Sequence, residues 1–351
     1  MTTWTATHRI ILVALCGVVG LGRPADALAQ DGNPALESYL NTLGIDAQQR
    51  ATIARGRAVA KLLPTADSRD VTVFGMISVN APRDTVVART FDLDRYLAAR
   101  GARFHIFGNP VSPADFSEVR FDESEYRGLR KCRPTDCDFK LPASEMMGLA
   151  QQIDWSARGA KAKADSQWQA WMLRLVEDYR SRGNEAMPSY DDGQTVKAAD
   201  AFSALLAQTG DLYELPPELE HYLATYPAER PDSARDFLYW SEDRLPRLRP
   251  VVTLNHAVAY TPSRAGAAAF VARKQIYASH YFEGGFELLA IVDGGVVGGE
   301  PITYLLSVRR FRFDYLPGGL FNIRGRVRRQ LVDATRVDLE RERSAMQPAT
   351  R

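Results

Sequence analysis

The period of the hydrophobic positions changes several times along the chain, and each change marks a predicted element. Between residues 35 and 63 the apolar positions are Leu36, Tyr39, Leu40, Leu43, Ile45, Ile53, Val59, Leu62 and Leu63. With Gly44 and Gly56 as breaks, they predict two or three short helices. Asp70–Val79 then reads as a strand, with aliphatic Val71, Val73, Ile77 and Val79 on one face and Phe74 and Met76 on the other. A strand apolar on both sides is either sandwiched in a core or has one face on a cavity. Ala81-Pro82 ends it, and Asp84 is placed to cap a helix running through Val86, Val87, Phe91 and Tyr96.

Shorter strands are expected at Phe104–Phe107 and Val119–Phe121, divided by the Gly108-Asn109-Pro110 turn signal. Residues 143–182 carry Trp168, Trp171, Met172, Leu175 and Val176 at helical spacing, and further helical pieces follow at Val196–Leu206 and after Leu215-Pro-Pro217. The block 143–225 is therefore a mostly helical insertion. From Pro250 the signal turns to sheet, with four β-type runs at Val251–Tyr260, Phe270–Phe282, Gly285–Val292 and Ile302–Asp314. Their short links favour an antiparallel meander. Gly294–Gly299 lies between two of these runs and is expected at a hairpin tip. A last helix enters through Pro317-Gly318-Gly319, with Leu316, Leu320, Ile323, Val327, Leu331 and Ala334 as its apolar stripe. That stripe needs a partner, and the sheet is the available one.

The amino terminus changes the compartment. Arg9 precedes an apolar run from Ile10 to Leu21, and Ala27-Leu28-Ala29 supplies small residues before Gln30. This is the order of a secretory signal peptide cleaved after Ala29. The run is shorter than the ~20 apolar residues a membrane span needs. A lipid anchor at Cys16 is the rival, but Leu15 is bulky where such signals carry a small residue. The protein is thus expected to be exported to the periplasm. There Cys132 and Cys137, separated by Arg-Pro-Thr-Asp, would form a local disulfide around a Pro134-centred turn. Neither Cys-x-x-Cys nor Cys-x-x-Cys-His is present, and Asp136 and Asp138 are weak company for a zinc site.

Composition narrows the partners. The 351 residues are 45% hydrophobic and 25% charged, with 44 basic against 43 acidic side chains. Loss of residues 1–29 removes Arg9, Arg23 and Asp26 and leaves 42 against 42. No global field favours nucleic acid.

Taken in order, Val71–Pro82 with the helix through Phe91, and the meander and helix of Val251–Leu339, resemble the helix-grip fold of START-like proteins, which include lipid-transfer domains and polyketide cyclase-like proteins. The phrases Asp236-Phe-Leu-Tyr-Trp240, Lys274-Gln-Ile-Tyr-Ala-Ser-His-Tyr281 and Arg309-Arg-Phe-Arg-Phe-Asp314 are similar to those of exported bacterial proteins of unassigned function. The helical block 143–225 departs from the compact family pattern. The expected fold is α+β, an antiparallel sheet gripped by a long carboxyl-terminal helix. Its expected parts are a signal peptide (1–29), an amino-terminal helical segment (30–66), a START-like domain with the insertion (67–342) and a flexible tail (343–351). The resemblance implies an apolar small molecule or lipid held between the sheet and the last helix. That superfamily hosts binders, carriers and enzymes, so fold does not license chemistry.

Strict alternation puts Lys274, Ile276, Ala278 and His280 on one face of their strand, with Gln275, Tyr277, Ser279 and Tyr281 on the other. Hairpin pairing would bring His256 near Lys274 or His280, where a buried group is suited to general acid or base work. A histidine on a half-apolar strand is more often a hydrogen-bonded core residue, and aromatic side chains more often pack than stack on ligands. Tyr239, Trp240, Tyr277 and Tyr281 nevertheless offer broad apolar faces with polar ends, suited to a ligand that is mostly hydrocarbon. With Phe74, Met76, His256, Lys274 and His280 they form the expected ligand wall, and Arg312 is the candidate for an anionic group. His256, His280 and Glu283 are a weak metal alternative, so no metal or cofactor is expected. Arg309, Arg310, Arg324, Arg326, Arg328, Arg329 and Arg336 could draw the last helix to a membrane surface, or pair with Asp333, Asp338 and Glu340 on a solvated face. Gly-x-Ser-x-Gly, Gly-x-x-x-x-Gly-Lys and His-Glu-x-x-His do not occur. Three functions follow: an apolar-ligand binder, an enzyme using His256, Lys274, Tyr277 or His280, and a non-catalytic envelope interaction protein.

Overall fold

Every residue of the strand Asp70–Val79 is buried, so it needs cover on both faces, and the fold supplies it. The computed structural model describes residues 33–101, 103–208, 215–244, 249–264, 266–314 and 323–347, the side chains of 323 and 324 excepted. The expected signal peptide (1–29), the expected Leu316–Leu320 entry to the last helix, and the Ile323 and Arg324 side chains lie outside that description.

The chain opens with α1 (Pro34–Thr42) and α2 (Ala47–Ala54), followed by β1 (Val59–Leu63), β2 (Asp70–Val79), α3 (Arg83–Phe91), α4 (Leu93–Ala99) and β3 (Arg103–Ile106). The helical block comprises α5 (Glu123–Leu129), α6 (Ala143–Gln152), α7 (Ala160–Arg182), a small hairpin of β4 (Ser189–Tyr190) and β5 (Val196–Lys197), α8 (Ala198–Leu206) and α9 (Pro217–Thr225). Five long strands follow, β6 (Arg235–Asp243), β7 (Val251–Tyr260), β8 (Ala269–Ala278), β9 (Phe282–Val297) and β10 (Glu300–Phe313), and then α10 (Ile323–Met346). One eight-stranded sheet, ordered β1-β2-β10-β9-β8-β7-β6-β3, is antiparallel throughout. The protein is therefore α+β, with the sheet, the helical block and the long last helix expected from the pattern.

Two helical layers cover the sheet. Phe74 and Met76 belong to the apolar core shared with α7, α8 and α9, whereas Ile77 and Val79 join the core of α3, α4 and α10. Both covers come close where a glycine permits it. A Cβ on Gly75 of β2 would lie 2.7 Å from Thr335 Cγ2 and 2.8 Å from Leu339 Cδ1, so α10 is seated directly on the backbone there. On the opposite face a Cβ on Gly284 would lie 3.2 Å from Ala201 Cβ of α8. The buried stripe of α10, Val327, Leu331, Thr335, Leu339, Glu342 and Met346, recurs by four or three, which keeps one helix face on the sheet.

Several elements differ from the sequence pattern. Val59–Leu63 is a strand because it pairs with Thr72–Met76 of β2; tertiary pairing overrides a helical reading of five residues. This pairing also crosses the expected boundary near residue 66, and α10 continues past 342. Asp84 sits in the first turn of α3 but does not cap it, Pro82 occupying that place, and Tyr96 belongs to α4, which Asp92 caps. Val119–Phe121 is not a strand and leads into α5, whose Asp122–Glu125 capping box starts the helix. The segment containing Asp236-Phe-Leu-Tyr-Trp240 is β6, paired to β7 along its whole length.

Cys132 and Cys137 are joined as expected, with Thr135 at φ 70° in the turn between them. The Thr135 and Cys137 amides donate to the carbonyls of Asp191 and Asp192, which ties this loop to the helical block.

Candidate functional site

The strand register determines which side chains face α10. From β10 to β6 one row reads Arg309, Glu287, Arg273, Ala257 and Phe237, and the next reads Phe311, Gly285, Gln275, Asn255 and Tyr239. A β-bulge at Ile276 lets Gln275 oppose Asn255 while Tyr277 opposes Leu254. It thus turns Tyr277 to the helical face beside Lys274, where strict alternation would have separated them. Ala278 ends β8, and Tyr281 follows in a turn at φ 63°.

Between these rows and α10 lies a chamber of about 800 Å³, within the ~300–1,000 Å³ common for small-molecule sites. Val251, Phe282, Phe311, Leu331, Ala334 and Val337 supply apolar wall. Ser241, Thr253 and Asn255 supply neutral polar wall, with Asn255 Nδ2 donating to Thr253 Oγ1 at 2.7 Å. Exposed Asp243, Asp333, Val337 and Arg341 place part of the lining in contact with solvent.

The inner end is ionic. Arg100 donates to Glu287 Oε1 at 2.9 Å, Asp338 Oδ2 at 3.2 Å and Tyr96 Oη at 2.9 Å, and lies 3.5 Å from Glu342 Oε1. Arg273 pairs with Glu287, and Arg309 donates to Asp338 Oδ2 at 2.8 Å. Burial works against the charge on Asp338, but Arg100 and Arg309 outweigh it and hold this carboxyl below its ordinary range. Burial raises Glu342 despite the same arginines. Burial, with Arg100 alongside, lowers Arg309. Donors here are left over: Arg309 Nε and Nη2 and Gln275 Nε2 are buried with no hydrogen-bond partner among the described residues, although Nε lies 3.4 Å from Glu287 Oε2, and both side chains line the chamber. Buried donors are normally satisfied, so these call for an explanation.

The helical face of the sheet carries a different polar network. His256 has no exposed surface, Tyr179 Oη is 2.9 Å from its Nδ1, and its Nε2 is 2.7 Å from Asp236 Oδ1. Burial pushes its pKa down to about 4 despite Asp236, so the ring is neutral near pH 7. Asp236 is held below its ordinary range, burial being outweighed by the bond to His256. The carboxylate accepts, so Nε2–H donates to it and Nδ1 accepts from Tyr179. Tyr222 also donates to Asp236, at 2.9 Å. Lys274 sits 5.1, 4.8 and 5.3 Å from the ring centres of Tyr179, Phe202 and Tyr226. It donates to Asn184 Oδ1 at 2.6 Å, and burial brings its pKa down to about 7. This network is closed on itself, with both nitrogens of His256 committed.

Of the residues expected around a ligand, only Tyr239 lines the chamber. Phe74, Met76, Trp240, His256, Lys274 and Tyr277 belong to the opposite face, where Trp240 donates to Asp115 O and Tyr277 meets Trp171. His280 bridges Asp138 O and Glu125 Oε1. Tyr281 accepts from the Arg249 amide, and Arg312 pairs with Asp70. His256, His280 and Glu283 go to separate partners, Asp236, Glu125 and Arg69, and no metal-binding cluster is found among the described residues. Of the chamber residues that sequence reasoning missed, Arg273, Gln275, Glu287 and Asp338 had one signal, a charge or amide within β8, β9 or α10, whereas Arg100, just past α4, had none.

No family model matches the chain, and no significantly similar curated protein or solved structure was found. No helix among the described residues is long and apolar enough to cross a membrane.

Proposed function

We propose that this is an exported binding protein, of START-like helix-grip type, that holds a lipid or other largely apolar small molecule between the sheet and α10. The observation that carries this reading is the chamber of about 800 Å³ between β6–β10 and a helix that is seated on β2 at Gly75. Export is supported by the Ile10–Leu21 run with Ala27-Leu28-Ala29, and by the joined Cys132 and Cys137. The enzyme reading is less favoured, because His256 is sealed and its hydrogen bonds are all internal. The membrane-surface reading has less charge to work with, because Arg309 pairs with Asp338 and Arg336 with Asp333.

Native mass spectrometry of the protein isolated from its own periplasm tests the proposal. A copurifying small molecule is expected, lost on organic extraction and absent from a Val337→Trp, Ala334→Phe variant whose chamber is filled. A ligand-free protein that also takes up no apolar fluorophore after extraction would refute it.

A further inference from the structure

The chamber's inner wall says what the polar end of such a guest must be. Gly285 stands in the middle of the second row, flanked by Gln275 on β8 and Phe311 on β10. A Cβ there would lie 3.1 Å from Gln275 Oε1, 3.3 Å from Gln275 Cβ and 3.4 Å from Phe311 Cδ1, so these two side chains close over the bare backbone. Gly285 is not at positive φ, so it is this close approach, which brings Gln275 against β9, that calls for glycine. Arg309 and Arg273 lie one row away, at about 7 Å along the strands. The partnerless atoms on the side chains that line the chamber here, Arg309 Nε and Nη2 and Gln275 Nε2, are all donors, while Glu342 Oε2, an acceptor without a hydrogen bond, is on a side chain outside the lining. The acceptors present, Glu287 and Asp338, are already engaged by Arg100, Arg273 and Arg309. The third carboxyl of the cluster, Glu342, lies 3.5 Å from Arg100 Nη1 and is raised by burial.

Resting on the reading of the chamber as a ligand site, we propose that its guest is a single-chain amphiphile with one anionic head group of the fatty-acid kind. The head group is received at this end by Arg309 and Gln275. The chain runs along Val251, Phe282, Phe311 and Leu331 toward the solvent-exposed part of the lining. A carboxylate suits these donors because it is planar and acceptor-only, and a guanidinium and an amide can each donate to it.

The experiment is displacement of the neutral fluorophore N-phenyl-1-naphthylamine from extracted full-length mature protein, using dodecanoate, 1-dodecanol and dodecyltrimethylammonium below their micellar concentrations. Dodecanoate is expected to displace at least about tenfold more effectively than the alcohol, the size of one hydrogen bond to a charged group, with the cation weakest. Gln275→Leu, which leaves the ion pairs intact, should remove most of that preference while fluorophore binding persists. Gly285→Val should weaken dodecanoate more than the alcohol. Equal displacement by acid and alcohol, or preference for the cation, overturns the inference and leaves the binding proposal standing. Failure of the fluorophore itself to bind, with no displacement by any chain, overturns the binding proposal and the inference with it.

Discussion

Gly75→Ala tests the seat of α10, on which the chamber depends. The new methyl would lie 2.7 Å from Thr335 Cγ2 and 2.8 Å from Leu339 Cδ1, closer than side-chain carbons approach. Thr335 cannot simply turn aside, because its Oγ1 donates to Leu331 O at 2.8 Å and its β-branched χ1 has few alternatives in a helix. Overpacking of this kind costs about 1–3 kcal/mol, and replacing a strand glycine by alanine returns about 0.5–1 kcal/mol, so a net loss of about 0–2.5 kcal/mol, centred at about 1, is expected. Urea unfolding monitored by circular dichroism reads the loss, and hydrogen exchange locates it in α10 and β2. Thr335→Ser removes Cγ2 but keeps the hydroxyl, so the double variant should recover part of the loss, with a coupling of at least about 0.5 kcal/mol. A Gly75→Ala protein as stable as the parent, with strictly additive behaviour in the double variant, would refute this seating of the helix.

Two further outcomes follow from the same structure. Lys274, whose pKa burial lowers from 10.5 to about 7, favours the neutral native form, so its contribution is present above pH 10.5 and is lost as pH falls toward 7. Stability of the parent should therefore rise between pH 7 and 10, by up to ~1.4 kcal/mol per unit, and Lys274→Met should flatten that rise in urea titrations; an unchanged slope would contradict the burial. Replacing both Cys132 and Cys137 by serine should cost about 2 kcal/mol, the chain-entropy value for so short a loop, and should expose the Asp191–Asp192 segment to faster hydrogen exchange.

Local pattern carried much of the sheet. Val251–Tyr260 and Asp70–Val79 are strands over the residues that their hydrophobic runs mark. β6 was hidden because Arg235, Asp236, Glu242 and Asp243 make its ends look like loop, and only pairing with β7 turns them into strand. β1 was hidden because five residues after two helices carry no period of their own. The site was hidden for two physical reasons. A bulge shifts register by one residue and leaves no compositional trace, so the side of the sheet that Tyr277 would take could not be read from alternation. Charged residues are usually solvated, so Arg309 and Asp338 read as surface when they are the paired inner wall of a chamber.

Lys274 and Gln275 are neighbours in sequence and serve opposite faces of one sheet, which makes them a test of where function resides. Lys274 ends in a closed network with Asn184 and an aromatic surround, so a change there alters the free energy of folding and its dependence on pH. Gln275 ends in a donor with nothing to bond, on the wall of a chamber that reaches solvent, so a change there removes little from the folded protein itself. A structural residue and a binding residue should therefore separate cleanly. Lys274→Met moves the stability profile and leaves dodecanoate preference in place, whereas Gln275→Leu leaves the stability profile and abolishes the preference. The reverse pairing would place the ligand on the opposite face, among His256, Lys274 and Tyr277, and would require α7 and α9 to open, whereas the chamber beside α10 already reaches solvent.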